Sequence, residues 1–280
     1  MCIRLVAAVL VTLVATAHPR LQAPATTGVS NQPPVLKIIR LAVARATAQD
    51  KAKAELRFES LVETMVESLN DEVEVTSIET TLHRRYPLDG AVYEELIERN
   101  GKPLSEAGVR DEAKRRADFR QELQETEASG NKVLETNDER QVRFNEDLMA
   151  RYEAAVVGED TVRGERCWVI SFWPRDGKLP RKTRIDRALN QSNGEVYISQ
   201  NDYGVVQIDF RLLRPVRYVW GLVASLSRLT GQLGFERFAP DIWLPSSYDV
   251  RYDRRILFVT QRRHVVRKWT ERRPVSGNTG

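Results

Sequence analysis

An α+β fold dominated by antiparallel β structure, one curved sheet partly capped by helices, is what the 280-residue sequence predicts. Three observations predict it. Short segments alternate apolar and polar residues, as where Val206, Ile208, Phe210 and Leu212 oppose Gln207, Asp209 and Arg211. Gly-, Asn- and Asp-containing turns separate these segments at short intervals. Some segments, CWVISFW (167–173) above all, are apolar on both faces and need cover on both. About ten strands result, and antiparallel strands in that number must curl, split or close.

The chain begins MCIRLVAAVLVTLVATA, with Arg4, an apolar run from Leu5 to Val14, and Ala15-Thr16-Ala17 before His18-Pro19. This is the layout of a Sec signal peptide over residues 1–17. The run is too short to span a bilayer. Cys2 precedes it and lacks the Leu-x-x-Cys setting of a bacterial lipoprotein. Residues 18–35, rich in Pro, Ala and Thr, read as a disordered leader. A single domain is expected over 36–273, with a loose tail at 274–280. An exported chain left with Cys167 as its one cysteine has no internal disulfide and must be held by its core.

Residues 36–56 lack Gly and Pro and are rich in Ala, Leu, Lys and Arg, which predicts a helix. FESLVETMVESL, 58–69, has a helical apolar stripe (Phe58, Leu61, Val62, Met65, Val66, Leu69). We assign it as a strand nonetheless. The β-branched run at 72–86 needs a neighbour across the turn Asn70-Asp71, and a two-stranded hairpin is marginal without a third strand, here 91–99 after Leu88-Asp89-Gly90. The charged stretch from Ser105 to about Tyr152 reads as a helical insertion over about 105–150, two helices broken near Ser129-Gly130-Asn131, with Ser105 as N-cap. Strands are expected at about 153–163, 165–174, 194–200, 203–214, 221–238, 242–253 and 255–270. Turns fall at Arg163-Gly164-Glu165, Ser192-Asn193-Gly194, Asn201-Asp202 and Asp253-Arg254.

The sequence holds no GxSxG, HExxH, GxGxxG, P-loop or CxxC motif, and none of His18, His83 and His264 stands in metal-ligand spacing. No catalytic residue, metal or cofactor is therefore assigned. Cys167 reads as a small buried thiol. The net charge is +4. The basic residues cluster at Arg181, Lys182, Arg184 and Arg187 and between Arg251 and Arg273, where Arg262, Arg263 and Arg267 are the candidate contacts to an anionic surface. The same cluster also suits a solvated strand face. Nothing points to nucleic acid. On the apolar side, Trp168, Ile170, Phe172, Val206, Ile208, Phe210 and Trp220 are candidates to line a ligand cavity, and a filled core explains their pattern equally well.

The order of elements, carried by LIERNGKPLSE (96–106), VVGEDTVRGERCWVISFWPR (156–175), GEVYISQNDYGVVQIDFRL (194–212) and IWLPSSYDVRYDRRILF (242–258), resembles the LolA/LolB-like superfamily. Within it the closer resemblance is to an exported bacterial branch described as outer membrane lipoprotein-sorting proteins. That resemblance implies a curved open (incomplete) β-barrel capped by helices, and a periplasmic, non-enzymatic protein that holds acyl chains of lipoproteins or phospholipids in an apolar concavity. It also implies an alternative, an envelope sensor or assembly factor that binds a protein or lipopolysaccharide through its β surface and Arg-rich C-terminal strands. The helical insertion departs from the compact carriers, and no arginine here aligns with the one that gates their transfer.

Overall fold

A computed structural model describes residues 33–129, 144–181, 185–218 and 224–275. Within them the order is α1 (Val35–Lys51), a 3-10 turn (Ala54–Arg57), β1 (Phe58–Leu69), β2 (Val75–Leu88), β3 (Ala91–Arg99), β4 (Lys102–Pro103), α2 (Glu106–Ala128), α3 (Glu146–Met149), β5 (Tyr152–Val162), β6 (Glu165–Pro174), α4 (Asp186–Leu189), β7 (Ser192–Ser199), β8 (Val205–Leu212), β9 (Val216–Tyr218), β10 (Ala224–Ala239), β11 (Ile242–Ile256) and β12 (Val259–Pro274). The opening segment of the meander is a strand against its own helical periodicity. Pairing on both sides, with β2 and with β12, outweighs the stripe.

All strands join one antiparallel sheet in the order β4-β3-β2-β1-β12-β11-β10-β8-β7-β6-β5, with β9 on β10. The last strand returns beside the first, welding the N-terminal meander to the C-terminal run. The sheet is curved and does not close, its ends being β4 and β5. No helix among the described residues is long and apolar enough to cross a membrane.

Two turns fall elsewhere than expected. Ser192-Asn193-Gly194 is the start of β7, where a Cβ on Gly194 would meet the Asp209 carbonyl oxygen at 1.8 Å, so the glycine permits close strand approach. Asp253-Arg254 is mid-ladder, paired with Arg262 and Gln261, and the hairpin turns instead at Leu257-Phe258, where Leu257 takes φ 54°. Apolar residues there carry no turn signal. The first helix ends at Lys51, followed by the 3-10 turn. In the insertion, Ser105 caps α2 by accepting from the Gly108 N–H at 3.2 Å. Most of the expected second helix, like the signal peptide, most of the leader and the end of the tail, lies outside the described residues.

The helix α1 packs its buried side chains Ile38, Ile39, Ala42 and Val43 onto Trp168, Ile170, Val196, Ile198 and Val205 of β6, β7 and β8, forming the main core. Polar ties hold it there. Arg45 reaches Asp202 at 3.0 Å, and Gln49 bonds both the N–H and the carbonyl of Trp243.

Candidate functional site: the apolar face of the sheet

Residues directly opposite each other in an antiparallel ladder point to the same side. Followed strand by strand, the register gives one lateral row on the α1 side: Ala154, Phe172, Gly194, Phe210, Gly231, Val250, Val265, Val66. A second row beside it runs Val156, Ile170, Val196, Ile208, Leu233, Tyr248, Arg267, Thr64. One face of the sheet is thus apolar from β5 to β11, with Val265 extending it onto β12 beside Arg263 and Arg267, and α1 lies over its β5–β8 end.

The candidate lining residues separate along this face. Trp168 and Ile170 are buried beneath α1, as floor of the filled core. Phe172 and Ile208 are half-buried and pack at the edge of that cluster. Val206 leaves the group. Tyr197 pairs with Gln207 but Ile198 pairs with Val205, so a bulge at Val206 turns it to the opposite side, against Cys167 and Trp243. A single inserted residue breaks strict alternation, and no residue type in GVVQI announces it. Trp220 lies outside the described residues.

Phe210 stands at the boundary, its ring over Gly231, where an added Cβ would come within 2.6 Å of the ring and 2.5 Å of Val250. Past it, Leu229, Leu233, Tyr248, Tyr252 and Val265 are half-buried and belong to none of the described core clusters. Sequence reasoning did not nominate these five. Their alternation in SLSRLTGQLGF and SSYDVRYD was the available signal, obscured by the charges on the intervening residues.

At the far end of the face the surface becomes polar. Arg267 donates to Glu94 at 2.7 Å and its guanidinium lies 5.0 Å from the Trp269 ring centre. His83 and Trp269 flank Val62 in one cross-strand row, and buried nitrogens of His83, Arg267 and Trp269 have no hydrogen-bond partner among the described residues. Burial lowers the proton affinity of the His83 imidazole and raises that of the Tyr248 phenol.

The candidate anionic contacts are not one surface. Register places Arg263 and Arg267 on the apolar face, opposite Tyr252 and Tyr248, whereas Arg262 points to the other side, where it pairs with Asp71 and Asp253. That other side also carries a groove of about 340 Å³ whose lining mixes charged with apolar side chains, among them Glu63, Met65, Leu82, Glu98, Val266 and Lys268. Among the described residues no His, Cys, Asp and Glu side chains gather as a metal site.

No family model and no curated protein matches the chain. Solved structures similar to it include a DUF1329 family protein from Desulfovibrio piger, at 13% identity and TM-score 0.31, covering 89% of this chain and 96% of that one. A putative outer membrane lipoprotein-sorting protein domain from Vibrio parahaemolyticus is 9% identical with TM-score 0.29, over 85% and 94%. A LolA superfamily protein from Nitrosomonas europaea is 8% identical with TM-score 0.28, over 86% and 94%.

Proposed function

We propose that this protein is a periplasmic, non-enzymatic carrier that holds acyl chains of lipoproteins or phospholipids on the uncovered half of its apolar face, between Phe210 and Val265. One observation carries the reading. The apolar rows continue past the β5–β8 strands that α1 covers, and Leu229, Leu233, Tyr248, Tyr252 and Val265 there are half-buried outside the described core clusters, with Val250 buried among them. An extended row of this kind suits a chain-like ligand, and each methylene buried contributes about 0.8 kcal/mol. About ten methylenes would give a gross 8 kcal/mol, enough for binding without a dedicated polar site. Phe172 and Ile208 form its margin at the α1 end, and Trp168 and Ile170, beneath α1, lie outside it.

The test is displacement of a fluorescent fatty acid by phospholipid or an acylated peptide. Val265→Asp should abolish uptake with the far-ultraviolet circular dichroism unchanged, and Val109→Asp, at an exposed position on α2, should leave uptake intact. Equal uptake by both variants would sink the assignment. Protein that takes up no acyl ligand would leave the envelope-sensor alternative, with a protein or lipopolysaccharide bound at the β surface.

A further inference from the structure

The large apolar side chains left in solvent gather at one end of the sheet. At the β11–β12 hairpin, Ile256, Leu257, Phe258 and Val259 are exposed, Phe258 by 90%. On the neighbouring β1–β2 hairpin Val73 and Val75 are exposed as well. The two tips are adjacent because β1 and β12 run antiparallel, Leu69 opposite Arg262, and an Arg262–Asp71 ion pair joins them. The turn is tight, with Leu257 at φ 54°, so the apolar tip projects beyond the ladder. Solvated hairpin turns ordinarily take Gly, Asn or Asp. Four consecutive apolar residues at such a place are a surface made to be covered.

The charges around the tip indicate by what. Its own strands carry Arg251, Arg254, Arg255, Arg262 and Arg263 against Asp253. Arg254 and Arg255 direct their Nε–H groups to Gln261 and to the Leu257 carbonyl, which fixes their stems beside the tip, and neither forms an ion pair with a carboxylate among the described residues. Asp71, Glu72 and Glu74 on the other hairpin offset part of this, Asp71 being held by Arg262. An apolar wedge with a collar of arginines matches the interface of an anionic bilayer, where aromatic and aliphatic side chains enter the acyl boundary and guanidinium groups meet phosphates.

We propose that the Ile256–Val259 hairpin tip is a membrane-docking element that inserts Leu257 and Phe258 into the surface of an anionic bilayer, with Arg254 and Arg255 on the headgroups. It stands independently of the acyl-binding reading. Its consequence is directional. Leu226, Arg254 and Gln261 form the first row behind the tip on the apolar face and Leu229, Tyr252 and Arg263 the next, so a docked molecule presents the end of that face to the lipid.

The experiment is co-sedimentation of the signal-free protein with vesicles of phosphatidylcholine alone or containing phosphatidylglycerol. Binding is expected to the anionic vesicles and to fall with added salt. Phe258→Asp should weaken it about tenfold to a hundredfold, the effect of withdrawing one aromatic side chain from burial. Arg254→Glu with Arg255→Glu should remove the preference for phosphatidylglycerol. Phe258 is solvent-exposed, so these variants keep the folded circular dichroism, and Val109→Asp serves as a control with unchanged binding. The proposal is overturned if the parent protein ignores both vesicles, as a tip that docks on a protein would, or if Phe258→Asp sediments like the parent.

Discussion

Truncating Ile170 to alanine tests whether the β5–β8 end of the apolar face is filled core. Ile170 has no exposed surface, sits between Val156 and Val196 in the ladder, and belongs to the cluster under Ile38, Ile39, Ala42 and Val43. The helix above is pinned by Arg45 and Gln49, so it cannot settle freely into the space vacated. The cost is then transfer plus cavity, about 3 kcal/mol within a usual range of about 2–5. For a domain of this size that corresponds to a fall in Tm of about 6–12 °C. Leu233→Ala, half-buried in the same lateral row, should cost about half as much. Urea titrations followed by circular dichroism would measure both. A loss below about 1 kcal/mol at Ile170 would mean that α1 covers a yielding or solvated space, and the division of the face into a filled and an open half would fail.

Three further outcomes follow from other buried groups. Arg151 is buried and donates to Asp186 and Asn190 at 2.9 Å and to the Pro180 carbonyl at 3.0 Å, so Arg151→Met should destabilise by about 3–5 kcal/mol, because it strips a buried carboxylate of its guanidinium; denaturant melts check this. Burial pushes the Cys167 thiol up to about 11, so iodoacetamide at pH 8 should leave the folded protein unmodified and label it only in denaturant. Burial, against the pull of Glu94 and with help from Arg267 and Arg115, lowers the proton affinity of His83 below its ordinary 6.5. The unfolded chain therefore takes up a proton first as pH falls, and stability contributed by neutral His83 is lost from about pH 6.5 downward. His83→Asn should flatten the stability profile between pH 7 and pH 5, and an unchanged slope would contradict the assignment.

Much of the architecture was legible because it rests on local chemistry. Turn residues at Leu88-Asp89-Gly90 and Arg163-Gly164 take left-handed φ values, at Asp89 and Gly90 and at Arg163 and Gly164, the turn after Asn70-Asp71 takes its own at Val73, and the alternating segments between these turns became strands. The strand at 58–69 was legible only through its neighbours. What escaped was non-local. The return of β12 to β1 is a pairing across the whole domain, and it alone decides which side Arg262 and Arg267 face. The bulge at Val206 and the apolar turn at Leu257-Phe258 break the very regularities that sequence reading uses. For the site, the apolar residues were identifiable as a class, but burial by α1 divided them. Whether Ile170 and Phe210 are floor or lining depends on where a helix settles, and periodicity carries no information about that.

Native mass spectrometry of the protein isolated from the cells that make it, with extraction and identification of whatever leaves on activation, decides whether it carries an acyl ligand. An acyl carrier is expected to show a mass adduct of phospholipid or acylated peptide that is absent from Val265→Asp protein. An apo mass that also acquires no adduct from added lipid would contradict the carrier reading.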